Sequence, residues 1–112
     1  MIAVNKQDDV TTIQLKGSID GKTAPQMRED IRPALEGTSL AILDLTKVGY
    51  LSSAGLRLLL LVYREFAAKS GKLVLVGVSE DIKAVMSHTG FLSFFTLTET
   101  QEQALAVLGR GK

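Results

Sequence analysis

The chain of 112 residues has no cysteine and no tryptophan, a single histidine, two prolines and only 5% aromatic residues. Without cysteine there is no disulfide scaffold, no thiolate zinc site and no cysteine nucleophile, which fits a reducing compartment. One histidine, His88, cannot build a histidine metal site, and its place near the end of a helix reads as a solvated position. Charge of one sign is lacking too. Thirteen basic residues stand against twelve acidic ones, so no basic stripe points to nucleic acid. The longest apolar run, Leu58 to Tyr63, is far short of the ~20 residues that a membrane span requires. Residues after Met1 show neither a basic n-region nor an apolar h-region, so secretion is not expected and a cytoplasmic location is. No phosphate-cradling G-x-x-x-x-G-K-[ST] and no G-x-G-x-x-G is present.

What is present is an ordinary globular composition, 46% apolar and 22% charged. This length suits one domain spanning residues 1–112, burying roughly 65% of its unfolded surface. The chain centres on residues 40–58, LAILDLTKVGYLSSAGLRL: a buried strand, a loop, and a helix that begins at small hydroxylic residues. A hydroxyl at a helix start lies beside unpaired backbone N–H groups and the positive end of the helix dipole, where an added phosphate is well tolerated.

Taken in order, Ile2–Val4 and Val10–Leu15 form a hairpin signal around the polar turn 5–9. Thr23 and Gln26 have capping-box spacing, Pro25 falls in the first turn, and Gly37 ends that helix. Pro33 predicts a kink or tightening near Arg32. Leu40–Leu45 and Leu73–Val78 are apolar at nearly every position, as in central strands covered on both faces. The residues between Ser53 and Ser70 supply a crossover helix, with Gly71 as its stop. Ser79 caps a third helix that Gly90 ends. Phe94–Leu97 reads as a last strand, and Thr98 with Gln101 as the capping box of a fourth helix before a frayed tail, 109–112. The predicted fold class is α/β: a mixed, mostly parallel sheet of about five strands with about four helices, in the order β-β-α-β-α-β-α-β-α.

On the helix after the serines, steps of about 100° place Leu56, Leu59, Leu60, Tyr63, Phe66 and Ala67 on a sheet-facing side. Leu58, Leu61 and Ala68 fall among Arg57, Arg64, Glu65 and Lys69, an apolar ridge expected to be partly exposed and suited to a protein partner. The other reading of that ridge is a second helix packed over it. A serine on a strand-to-helix turn also invites comparison with a nucleophile elbow. Leu51 stands where G-x-S-x-G needs its first glycine, however, and His88 is the sole imidazole, so an enzyme is not expected. Asp20 and Asp44 read as turn residues rather than as an acid–base pair.

The run Asp44 to Leu56, D-L-T-K-V-G-Y-L-S-S-A-G-L, resembles the signature of STAS domains, most closely that of bacterial anti-sigma factor antagonists. Gly17 to Ala24, GSIDGKTA, resembles the glycine, acidic and threonine-alanine pattern before that family's first helix. The resemblance implies a partner switch. The unphosphorylated protein would bind an anti-sigma factor with a histidine-kinase-like ATPase fold and so release a sigma factor. Phosphorylation at Ser53 by that kinase would end the interaction, and a serine phosphatase would restore it. Ser52 stands where the family commonly has an aspartate and Ala54 where it often has a second serine, which makes Ser52 the alternative acceptor. The partner-binding residues implied are Asp20, Thr46, Tyr50, Ser52, Ser53, Arg57, Leu58, Leu61 and Glu65. No cofactor, metal, nucleic acid or membrane is implied, and a monomer or weak dimer is expected. STAS-like proteins also serve as subunits of lipid-transport ATPases and as stressosome-type scaffolds, and such a role would not depend on Ser53.

Overall fold

A computed structural model describes residues 2–110. Its elements follow the predicted order. Strands β1 (Ile2–Gln7) and β2 (Val10–Lys16) form a hairpin, then come α1 (Ala24–Leu35), β3 (Leu40–Lys47), α2 (Ser53–Ala68), β4 (Lys72–Val76) and α3 (Glu80–His88). A 3-10 turn (Leu92–Phe94), β5 (Thr96–Thr98) and α4 (Gln101–Val107) complete it. The strands lie in the order β1-β2-β3-β4-β5; β1 is antiparallel to β2, and every later neighbour is parallel.

Side-chain alternation on the inner strands explains their unbroken apolar sequence. Ala41, Leu43 and Leu45 of β3 face a large core with Ile13 and Leu15 of β2 and residues of α1, α2 and α3. Ile42, between them, faces the other way. It joins Val10, Val74 and Val76 beneath Ala104 and Leu108, so α4 alone closes that second face. The larger core carries most of the hydrophobic stabilisation, at roughly 25 cal/mol per Å² of apolar surface removed from water.

Several local expectations shift. The hairpin turn is two residues, Asp8 and Asp9, with Asp8 in the left-handed region at φ 58°, so β1 runs on to Gln7 instead of stopping at Val4. Helix α1 includes Pro33 and reaches Leu35, and Gly37, at φ 74°, follows its C-cap Glu36 in keeping with the expected stop. Ser70, at φ 57°, takes the left-handed position that ends α2, and Gly71 serves packing instead: a Cβ there would lie 2.8 Å from the Phe66 ring. The fourth helix is capped by Thr100 with Gln103, two residues beyond Thr98 and Gln101, because Thr98 is taken into β5.

Candidate binding and modification site

In this topology β2, β3, β4 and β5 all end at one edge of the sheet, and α1 to α4 all begin there. The β2–α1 and β3–α2 loops are joined by backbone hydrogen bonds. Gly17 N–H donates to Lys47 O (3.0 Å), Ile19 N–H to Tyr50 O (2.9 Å) and Ser52 N–H to Ile19 O (2.9 Å). Gly55 is needed at this seam: a Cβ there would collide with the Ile19 carbonyl oxygen and lie 2.8 Å from Leu51 Cδ1. The first turn of α2 is therefore pressed against the other loop's backbone. Ile19, a buried residue that bridges to Leu51, is the organising position that sequence reasoning missed; its signal was the small, turn-forming GSIDG segment around it.

Asp20 holds the other loop. Its Oδ1 accepts from the backbone N–H groups of Lys22 (2.9 Å) and Thr23 (3.1 Å). Thr23 does not form the expected capping box with Gln26. Its hydroxyl donates to Ser18 O (2.7 Å) and accepts from Asp20 N–H (3.0 Å), while Gln26 turns to Asp30. The Thr23 and Lys22 backbone donors, in that order, hold the Asp20 carboxyl below its ordinary value. Asp44 acts similarly at the end of β3, its Oδ1 accepting from both the backbone N–H (2.8 Å) and the hydroxyl of Thr46. Both acids have turn roles.

The two adjacent serines differ in what their hydroxyls do. Ser52 is the N-cap of α2: its backbone is extended (φ −86°, ψ 177°) and its Oγ accepts from Gly55 N–H at 3.2 Å. Ser53 is the first helical residue and is exposed, and no partner for its hydroxyl is present among the described residues. Of the two hydroxyls at the start of this helix, the cap is thus Ser52. An aspartate and a serine are equally good caps, which gives physical sense to Ser52 standing where the family commonly has the acid. No acidic residue lies in the first turn of α2.

Around Ser53 the structure gathers Asp20, Thr46, Tyr50 and Ser52 at the same edge, and Tyr50 is 56% exposed. Ser53, Arg57, Leu61 and Glu65, at four-residue intervals, form one stripe of α2; Arg57 and Glu65 are exposed and Leu61 is half-buried. Leu58 departs from expectation. It is only 4% exposed and belongs to the large core with Met27 and Ile31 of α1, because α1 and the sheet cover α2 from two directions. The buried face is Leu56, Leu58, Leu59, Val62 and Phe66; Leu60 and Tyr63 are half-buried and Ala67 is exposed. The apolar ridge expected from the helical wheel therefore loses Leu58 and keeps the half-buried Leu61. His88 is exposed in the last turn of α3, and no group of three or more potential metal ligands occurs among the described residues. No helix among them is long and apolar enough to cross a membrane.

The arrangement defines a small α/β module that presents a hydroxyl and a mixed polar–apolar stripe on one edge. The chain belongs to the STAS domain family, whose model matches residues 1–104. Among curated relatives, a putative anti-sigma factor antagonist, BtrV, of Bordetella bronchiseptica is 31% identical over 106 residues, covering 94% of this chain and 91% of that protein. An anti-sigma-B factor antagonist of Listeria monocytogenes is 33% identical over 92 residues, covering 80% of each. The solved structure of the anti-sigma factor antagonist SpoIIAA in its unphosphorylated form superimposes with a TM-score of 0.78 at 21% identity, covering 97% of both chains; SpoIIAA of Bacillus has also been solved in a phosphorylated form. These relatives are regulatory proteins, and the protein falls in the family of anti-sigma factor antagonists.

Proposed function

We propose that this protein is a phosphorylation-controlled anti-sigma factor antagonist acting in the cytoplasm. Its unphosphorylated form binds an anti-sigma factor with a histidine-kinase-like ATPase fold through the edge around Ser53, displacing the sigma factor. That partner then transfers the γ-phosphoryl group of ATP to Ser53 Oγ; the new O–P bond replaces the bond to the departing ADP, and the hydroxyl proton is lost. A serine phosphatase hydrolyses the ester and restores binding. The protein works by binding and contributes no catalysis of its own.

One observation carries this reading: with Ser52 engaged as the cap, Ser53 stands exposed at the first helical position. A phosphate there adds about −1.5 to −2 charge at pH 7. The first turn of α2 holds no acid, so the helix start tolerates the charge and the fold persists. Against a partner surface built for a neutral hydroxyl, the same charge brings desolvation and repulsion of about 3 kcal/mol, a hundredfold or more in affinity. The likeness to SpoIIAA, a protein solved both with and without phosphate, supports the reading.

The test is the intact mass and tryptic map of the protein taken from its own cells. Phosphate at Ser53 in a condition-dependent fraction is the expected result. Its absence under every growth condition, or its presence only at Ser52, overturns the proposal and favours a scaffold or transport role.

A further inference from the structure

Arg57 lies one helical turn beyond Ser53 and is a cation without an anion. Residues three and four apart are neighbours on a helix surface, so the helix neighbours of Arg57 are Ser53, Ala54, Leu60 and Leu61. None of the four is acidic. The ion pairs among the described residues join Glu29 to Arg32, Glu80 to Lys83 and Asp9 to Arg110, and Arg57 is in none of them. Both Arg57 and Ser53 are exposed.

Helix α3 has the completed form of the same arrangement. A carboxylate oxygen of its first helical residue, Glu80, lies 3.3 Å from Nζ of Lys83, three residues on. Helix α2 has its cation one turn on as well, but its first position carries a hydroxyl in place of the acid. Of the four helix neighbours of Arg57, only Ser53 has a group that can receive a phosphate. Helix geometry favours the resulting pair. Side chains tilt toward the N-terminus, so one at position 57 leans over the turn that starts at Ser53, and an anion N-terminal to its cation is the better order. The planar guanidinium fork matches two phosphate oxygens at once, which a lysine ammonium does not.

We propose that Arg57 is an internal clamp for the phosphate on Ser53, so that modification adds negative charge to the edge and also withdraws an exposed guanidinium from the stripe of Ser53, Arg57, Leu61 and Glu65. The clamp rests on Ser53 as the acceptor put forward above, and it adds how the modified state is held. A partner then meets two changes on one surface: a new charge, and an arginine that is already occupied. Lys22 in the β2–α1 loop and Lys47 at the end of β3 are the rival cations, both exposed, but neither shares a helix with Ser53.

The experiment takes the full chain with phosphoserine at position 53, made without a kinase, and follows the phosphate by phosphorus-31 resonance through a pH titration. The second ionisation of a free phosphoserine lies at about pH 6. In the otherwise unsubstituted chain its midpoint should come at a pH about 0.5 lower than in Arg57→Gln, a roughly threefold change in the ionisation constant, because a cation favours the dianion. Arg57→Lys should fall between the two, while Lys22→Gln and Lys47→Gln should leave the titration where it is. The Arg57 Nε–H signal should move on phosphorylation and exchange with water several-fold more slowly. Glutamine is nearly as good a helix former as arginine and position 57 is exposed, so Arg57→Gln keeps the fold, which thermal unfolding verifies. Equal titrations with and without Arg57, or a shift that disappears in Lys22→Gln or Lys47→Gln instead, overturn the clamp. That failure leaves Ser53 standing as the acceptor, because no kinase or partner enters the measurement. Absence of phosphate from Ser53 in cells is the separate result that removes the switch itself.

Discussion

The N-termini of α2 and α3 are built on one plan and differ in one respect. Each begins with a serine cap whose Oγ accepts from the backbone N–H three residues on, Ser52 from Gly55 and Ser79 from Ile82, both at 3.2 Å. Both helices emerge at the same edge of the sheet. In α3 the first helical residue is Glu80, followed by Asp81, so negative charge already meets the unpaired N–H groups and the dipole. In α2 the same position is Ser53 and the first turn carries no acid. What α3 holds permanently, α2 would gain under the proposed phosphorylation of Ser53. The molecule thus contains its own precedent for a folded helix start bearing charge at that position, and a phosphate at Ser53 would make the start of α2 resemble that of α3.

The comparison requires that α2 be anchored as firmly as α3, and the largest effect tests this. Leu58→Ala should cost about 3 kcal/mol in denaturant unfolding, as should Ile82→Ala on α3, since both side chains are core. A cost below about 1 kcal/mol for Leu58→Ala would return it to the surface ridge. Next come the caps: Ser52→Ala and Ser79→Ala should each lose about 1 kcal/mol, while Ser53→Ala stays within a few tenths. If Ser53→Ala proved the costlier of the adjacent pair, the assignment of cap and free hydroxyl would be reversed. A smaller effect concerns charge. Ser53→Glu should raise stability by about 0.3–1 kcal/mol at low salt, with the gain shrinking as salt rises, and Glu80→Gln should lose a similar amount.

The smallest effect is on the neighbouring loop. The Asp20 carboxyl is held below its ordinary value of 3.8 by the Thr23 and Lys22 backbone donors. A group whose pKa is depressed by folding stabilises above its unfolded value and stops doing so as pH falls through its folded one. Amide exchange at Lys22 and Thr23 should therefore quicken as pH drops from about 4 downward, after correction for intrinsic rates, and Asp20→Asn should remove that dependence.

Much of this was legible in the sequence. The order of elements, the doubly covered β3 and β4, and the strand–loop–helix junction at Ser52 and Ser53 all follow from apolar runs and punctuation by small residues. What sequence left open was register within each junction. Ser52 and Ser53 are equally competent caps, and only the Ile19 seam, with Ser52 N–H bonded across to Ile19 O, decides which one turns inward. Thr98 and Thr100 each stand three residues before a glutamine, and strand pairing of Thr98 with Val76 settles the choice. Leu58 was misplaced for a related reason. A helical wheel gives one buried face, whereas α2 is covered both by the sheet and by α1, and that neighbour is a property of topology, not of local periodicity. The Thr23 box failed because Asp20, three residues earlier, competes for the same hydroxyl and backbone groups.

The central claim is that charge at Ser53 changes binding and leaves the fold intact. The direct measurement takes the chain bearing phosphoserine at position 53, made without the kinase, and titrates it with the anti-sigma factor recovered with the unmodified protein. Thermal unfolding of both forms is recorded alongside. The predicted result is a melting temperature equal to or slightly above that of the unmodified chain, with affinity lower by a hundredfold or more. Equal affinities for the two forms, or a phosphorylated chain that no longer folds, would contradict it.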